Sequence, residues 1–379
     1  MLKLALTTIA GVESLAKKEI EKQGGKIIEV KDRIILFSGE DTLLARINLW
    51  SRIGNKLYLV LKEKDSISNF DNLYALVSNI DWKKYIPKNA PIIVNAKTIK
   101  SDLSSEPAIQ KIGKKAIIDV LNDKSGKFIR EDDSIEKCEI QILFQENDCK
   151  ILLNSSGEAL HKRGYRIMTG EAPIKENLAS SLVLLSNWRF QEALYDPFCG
   201  SGTILIEALM IAKNKAPGAK RNFAFEKWFW YDKEFLKKEK EEAIKKEYTQ
   251  KYQIFGYDKD AEIIEKAKLN AIKAGLENEI IFEKKDFTDF SKEKIAGTII
   301  SNPPYGLRLK DENIDELYKK IDNFLKNNDE LSGGIISSYQ GGNFILNSQE
   351  YKNRKLYNGN ELCYFYSKKY EQTFKKNLQ

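Results

Sequence analysis

Apolar and polar positions along the chain switch between two periods, and the switches mark the elements. Lys3 to Thr7 has the two-residue period of a strand, and Val12 to Gln23 the 3.6-residue period of an amphipathic helix ending at Gly24-Gly25. Lys26 to Val30 and Arg33 to Ser38 predict a hairpin across Lys31-Asp32. Thr42 to Trp50 predicts a helix capped by Asp41 or Thr42, and Asn55 to Leu61 a strand. The order βαββαβ is that of a ferredoxin-like unit over residues 1–65. A second α/β unit over 66–156 has helices at Asn69 to Asn79 and Glu106 to Leu121. Its strands are Pro91 to Ala96, Cys138 to Phe144 and Lys150 to Asn154, and residues 157–175 read as a linker.

From 176 to 379 strands and helices alternate, as in a doubly wound α/β domain. A helix opens after Pro173. Strand Ala193 to Tyr195 leads to helix Thr203 to Lys213, and strand Gln253 to Tyr257 to helix Ala261 to Ala274. Strands Glu279 to Glu283 and Thr298 to Ser301, helix Ile314 to Lys326 and strand Gly334 to Ser338 follow. Arg354 to Tyr357 and Glu361 to Tyr366 close as a hairpin around Asn358-Gly359. An insertion at about 215–251 separates the first two strands. Its charge-laced helix, Lys233 to Lys251, is expected to be solvated and packed along one edge.

Composition narrows the chemistry. The chain has 379 residues, which suggests two or three domains, and 62 basic against 55 acidic residues, a net +7 suited to an anionic partner. His161 is the sole histidine, which excludes mechanisms built on several. Cys138, Cys149, Cys199 and Cys363 form no C-x-x-C pair, so no metal is expected. No apolar run reaches the roughly 18 residues of a membrane span. The start, MLKLALTTIAG, is too short and polar for a signal peptide, so a cytosolic place is expected.

The densest chemistry lies at strand ends. In DPFCGSG, Asp196 ends a strand, Gly200 and Gly202 let backbone approach a ligand, and the helix starting at Thr203 offers free N–H groups. The plainer alternative is a tight strand-to-helix turn. The dinucleotide fingerprint G-x-G-x-x-G is incomplete, because Leu205 stands where the third glycine belongs. Asp258 tips the next strand, where an acid takes ribose hydroxyls. Asp286 tips the third, beside Phe287: the acid could accept from an adenine amino group while the ring packs on the base, or could merely cap a turn. The fourth strand runs into SNPPYG. Pro303 and Pro304 fix extended backbone, so the Asn302 side-chain oxygen and the Pro303 carbonyl can converge on an exocyclic NH2 group. Tyr305 offers a flat face for stacking.

These segments resemble class I S-adenosylmethionine-dependent methyltransferases that modify exocyclic amino groups. LHKRGYR, APIKENLA, DPFCGSGTILIEA, NPPYG and RKLYNG together resemble the THUMP-domain RNA guanine-N2 methyltransferases of the RlmL family, with its short YpsC-like members, over nearly the whole chain. The resemblance implies a Rossmann-like methyltransferase domain with a mostly parallel seven-stranded sheet, preceded by ferredoxin-like and THUMP domains. It implies cofactor contacts at Asn177, Asp196, Phe198, Gly200, Gly202, Thr203, Asp258, Asp286 and Phe287, and reaction at Asn302, Pro303, Pro304 and Tyr305. It also implies that the second unit binds structured RNA, ribosomal 23S or transfer RNA. The long RlmL proteins carry a second methyltransferase domain, so one activity is expected here. Leu307 stands where relatives often carry an acid after NPPYG.

Two basic clusters are candidates for phosphate contact: Lys111, Lys114 and Lys115 on the Glu106 to Leu121 helix, and His161, Lys162, Arg163 and Arg166 around Tyr165. The alternatives are a solvated lysine face and a strap whose arginines pair with local carboxylates. Three rival functions stand beside RNA guanine-N2 methylation. A DNA adenine-N6 methyltransferase also uses NPPY, an assembly factor could keep a degenerate domain, and an NAD oxidoreductase would need the missing glycine.

Overall fold

The computed structural model describes residues 1–122, 131–167, 174–305, 314–346 and 351–368. In chain order the N-terminal elements are β1 (Leu2–Thr8), α1 (Glu13–Lys22), β2 (Lys26–Lys31), β3 (Ile34–Gly39), α2 (Thr42–Trp50) and β4 (Gly54–Lys64). Then come α3 (Phe70–Ser78), β5 (Ile92–Ile99), α4 (Glu106–Leu121), β6 (Cys138–Gln145) and β7 (Asp148–Asn154). The rest comprises α5 (Glu176–Ser186), β8 (Leu194–Asp196), α6 (Thr203–Ala212), α7 (Glu234–Lys245), β9 (Ile254–Asp258), α8 (Ala261–Ala274) and β10 (Ile281–Lys284). It closes with α9 (Phe287–Phe290), β11 (Gly297–Ser301), α10 (Ile314–Asn327), β12 (Leu331–Ser337), α11 (Gly342–Ile345), β13 (Tyr351–Asn358) and β14 (Glu361–Lys368).

Contacts divide the chain into two compact units. The first holds Met1–Thr8, Ala16–Leu160 and Gly218–Glu242; the second holds Ile9–Leu15, His161–Pro217 and Ala243–Gln379. In the first, one seven-stranded sheet runs β2-β3-β1-β4-β7-β6-β5. The sequence divides this region at 65/66, but β4 pairs antiparallel with β7, from Tyr58 opposite Asn154 to Lys64 opposite Cys149, and joins both pieces. Pairing satisfies the N–H and C=O groups that an edge strand would leave open. β6 shows why the period was readable: its buried and half-buried positions alternate strictly. Asp41 does precede α2, but in helical backbone and with no side-chain hydrogen bond to the helix start, so its expected capping role is not realised.

The insertion, expected within the 176–379 domain, is reassigned: residues 218–242 pack into the first unit. The Gly218 N–H donates to the Leu49 carbonyl at 2.9 Å, where a Cβ would meet Leu49 backbone at the same distance. Tyr231 donates to the Asp41 carbonyl at 2.6 Å, and Arg46 grips Glu239 at 2.6 and 2.9 Å. Phe223, Phe225, Trp228 and Tyr231 are buried, with Phe223 stacked on Phe225. Charge dominates this segment's composition, but its aromatic residues decide where it goes. Each buries apolar area worth about 1.5–3 kcal/mol.

In the second unit the sheet order is β10-β9-β8-β11-β12-β14-β13. The first five strands are parallel, and β14 runs antiparallel to β12 and pairs with β13 in a hairpin. All five residues of β11 are buried, as both faces of a central parallel strand are covered. α6 is apolar nearly all round and buried to match. Strand order reverses between β8 and β11, which opens a crevice at their carboxyl ends. No described helix is long and apolar enough to cross a membrane.

Candidate active site

Asp196 ends β8 and is only 1% exposed. Its Oδ1 accepts from the Phe198 N–H at 3.2 Å and from the Ser301 hydroxyl, while Oδ2 is buried with no protein partner. Burial, aided by the nearby Asp258 charge, pushes this carboxyl up to about 7. The chain then turns through Gly200 (φ 53°) and Gly202 (φ 80°), conformations that residues with a Cβ rarely adopt. A Cβ on Gly202 would meet the Phe282 ring at 2.9 Å, whereas nothing lies within 4 Å of one on Gly200. The loop is tight on its sheet side and open above Gly200.

Asp258, at the end of β9, accepts from Gly200 N–H at 3.1 Å and from Asp260 N–H at 3.0 Å. Asp286 caps α9, accepting from Thr288 N–H at 2.7 Å, and that bond holds its carboxyl below the usual range. The turn-capping alternative is therefore realised for this acid. Phe287 is 5% exposed, stacked on Phe198 at 4.9 Å and edge-on to Phe324 at 5.9 Å. The core has taken the ring expected to pack on adenine; the partly exposed ring beside it is Phe198.

At the end of β11, Ser301 is fully buried and Pro303 is buried. The Asn302 Oδ1 is buried without a protein partner. Burial, with the nearby Glu361 charge, pushes the Cys363 thiol on β14 up to about 11, against smaller opposing contacts from the Asn358 backbone and from Tyr305. Asn177, in the first turn of α5, is 1% exposed, and its Oδ1 also lacks a protein partner. The structure thus links Asp196 through Ser301 to the Asn-Pro-Pro-Tyr segment, and Gly200 to Asp258.

The segment around Tyr165 departs from its phosphate-binding expectation. Arg163 is 3% exposed, with Nη2 at 3.6 Å from Glu207, itself fully buried. Tyr165 donates to Glu207 at 3.1 Å and Ser180 donates to it at 2.6 Å. Arg166 pairs with Glu176 at 3.2 Å and donates to Thr203 Oγ1 at 3.1 Å. Burial, then the charges of Lys175, Arg163 and Arg166, push His161 down to about 3, so it stays neutral. Internal carboxylates claim these arginines, and only Lys162 is exposed. On α4, Lys111 and Lys115 are exposed, but Lys114 pairs with Glu131 at 2.8 Å.

Sequence reading missed Ser301, Glu176 and Glu207. Glu207 had a signal, a lone carboxylate inside the apolar run TILIEALMIA, which calls for a buried partner. Among the described residues no cluster of His, Cys, Asp or Glu is suited to a metal ion.

An acid-tipped parallel sheet with a glycine loop at its switch point and Asn-Pro-Pro-Tyr on the next strand defines an α/β methyltransferase. The chain belongs to the RMKL-like methyltransferase family, whose domain model matches residues 163–364. Models of the RlmL ferredoxin-like domain and the THUMP domain match 3–58 and 68–132. The chain is 37% identical to YpsC of Bacillus subtilis (strain 168), assigned as an RNA methyltransferase, over 94% of this chain and 93% of that one. It is 36% identical to the ribosomal RNA large subunit methyltransferase K/L of Buchnera aphidicola subsp. Schizaphis graminum, over 95% of this chain but 53% of that protein. It thus spans about half the length of the K/L enzyme. Among solved structures, SMU.472, assigned as a methyltransferase and complexed with SAH, superposes with a TM-score of 0.87 at 35% identity, over 97% of each chain.

Proposed function

We propose that the chain is an S-adenosylmethionine-dependent RNA methyltransferase that modifies the exocyclic N2 of a guanosine in 23S ribosomal RNA, acting in the cytoplasm. One observation carries this reading: the buried, unpartnered Asn302 Oδ1 sits one residue from Ser301, which bonds Asp196. The residues fit the cofactor. Asn177 Oδ1 and Asp196 Oδ2 are buried acceptors awaiting donors, and the space above Gly200 is open. Asp196 suits an ammonium group, Asp258 ribose hydroxyls, and Phe198 with Asp286 an adenine edge. When bound, S-adenosylmethionine supplies a methyl group on a sulfonium.

Asn302 Oδ1 and the Pro303 carbonyl accept the two N–H groups of the guanine amine and so orient its nitrogen toward the crevice. Tyr305 stacks on the base once it leaves its helix. The proton lost from nitrogen passes to water, so no catalytic histidine is required. Residues 1–65 and 66–156 act as RNA-engaging modules; the catalytic part begins with the strap around Tyr165 and leaves out 218–242, which pack with the first unit. The names of the relatives support RNA and, for the K/L enzyme, the large ribosomal subunit. Transfer RNA is the alternative.

Purified protein, labelled cofactor and, in parallel, RNA and DNA from a strain lacking the gene test the reading, with nucleosides identified by mass spectrometry. N2-methylguanosine in 23S RNA is expected, and the same product in transfer RNA would select the alternative. N6-methyladenosine in DNA, or no methyl uptake, would overturn the proposal.

A further inference from the structure

We infer that Arg166 is a positioning residue that sets the geometry of the cofactor crevice from behind, an inference resting on the cofactor reading above. Its side chain is 17% exposed. One guanidinium reaches two helix starts: it donates to the Ile174 carbonyl and pairs with Glu176 at the head of α5, and it donates to Thr203 Oγ1 at the head of α6 at 3.1 Å. Asn177 follows Glu176 directly, and Gly202 precedes Thr203 directly. The neighbouring residue adds a second tie. The Ile167 N–H donates to Asn270 Oδ1 at 3.1 Å, and Asn270 Nδ2 donates to the Ser201 carbonyl at 3.1 Å. The glycine loop is thus held from its far side at Ser201 and Thr203, while Asp258 holds Gly200. Nη2 donates to both the Ile174 carbonyl and Thr203 Oγ1 while Nε lies 3.2 Å from Glu176, so two nitrogens held at fixed spacing face the two helix starts, which a lysine ammonium has only one nitrogen to do. Arg166 acts through its neighbours: it aligns the helix starts that carry Asn177 and Gly202.

Calorimetric titration with S-adenosylhomocysteine, on the folded fraction of full-length protein, tests this. Arg166→Ala should weaken binding at least tenfold, and Arg166→Lys should restore only part of the loss. Steady-state kinetics should register the loss in the KM for cofactor more than in kcat. Thr203→Val keeps the arginine and removes one acceptor, so it serves if Arg166→Ala does not fold; it should weaken binding several-fold. RNA affinity of the Arg166 variants should keep its wild-type salt slope. Wild-type affinity for S-adenosylhomocysteine in Arg166→Ala or Thr203→Val would overturn the inference. So would a salt slope reduced by about 0.7, the sign of a lost phosphate contact to single-stranded RNA. Failure of the wild-type protein itself to bind would instead overturn the cofactor reading.

Discussion

Asp196 is an acid where ionisation is costly. Its folded pKa, about 7, lies above the ordinary 3.8. Its contribution to stability is therefore full below 3.8 and lost as pH rises through about 7. A cationic ligand group beside Oδ2 would favour the ionised form. S-adenosylhomocysteine affinity should accordingly rise as pH increases through about 7, and Asp196→Asn should flatten that dependence. A flat wild-type profile in calorimetry at several pH values would remove Asp196 from the contact set. Asn302 poses a different question at the same scale, since its free acceptor is used most fully once the amine is held for reaction. Asn302→Ala should lower turnover by roughly 10²–10³ with cofactor affinity unchanged. Tyr305→Ala should lose about 1–3 kcal/mol of stacking, read as weaker binding of substrate RNA. Single-turnover assays separate the two, and an Asn302→Ala enzyme working at the wild-type rate would exclude that residue from the reaction.

The element that best repays attention is the short strap before α5. It gathers buried charge around Glu207 in α6, which accepts from Tyr165 and Ser180 and faces Arg163. Glu207→Ala would take that acceptor from all three at once. Losing one partner of a buried ion pair costs about 3–5 kcal/mol. Urea unfolding of the variant should show a loss of this order, and a change below about 1 kcal/mol would mean that the other contacts suffice. Through the Ser180–Glu207 bond this brace ties α5 to α6, the two helices whose first turns carry Asn177 and Thr203. α7 makes the complementary point, because a helix of mostly charged residues is held by the Arg46–Glu239 pair, by its buried Leu236 and Ala243 and by the aromatic run before it.

For the molecule as a whole, the exposed lysines of α4 and Lys162 are the remaining candidates for phosphate contact. Lys111→Glu with Lys115→Glu should weaken RNA binding and flatten its salt dependence while leaving cofactor affinity intact. Lys114 should matter less, because Glu131 already neutralises it. Filter binding at several salt concentrations measures both effects, and an unmoved slope would put the surface elsewhere. The sequence by itself determined the two α/β patterns, nearly every strand and helix, the glycine loop and the Asn-Pro-Pro-Tyr segment. Each of these is local: a few consecutive residues fix both the backbone and the chemistry it presents. Only the tertiary structure decided the pairing of β4 with β7, the docking of residues 218–242 in the first unit and the loss of Phe287 to the core. It alone also turned Arg163 and Arg166 inward. Charge and aromaticity can be read one residue at a time, but the partners that spend them, Glu207, Thr203, Phe324 and Leu49, lie far along the chain and meet them only once it has folded.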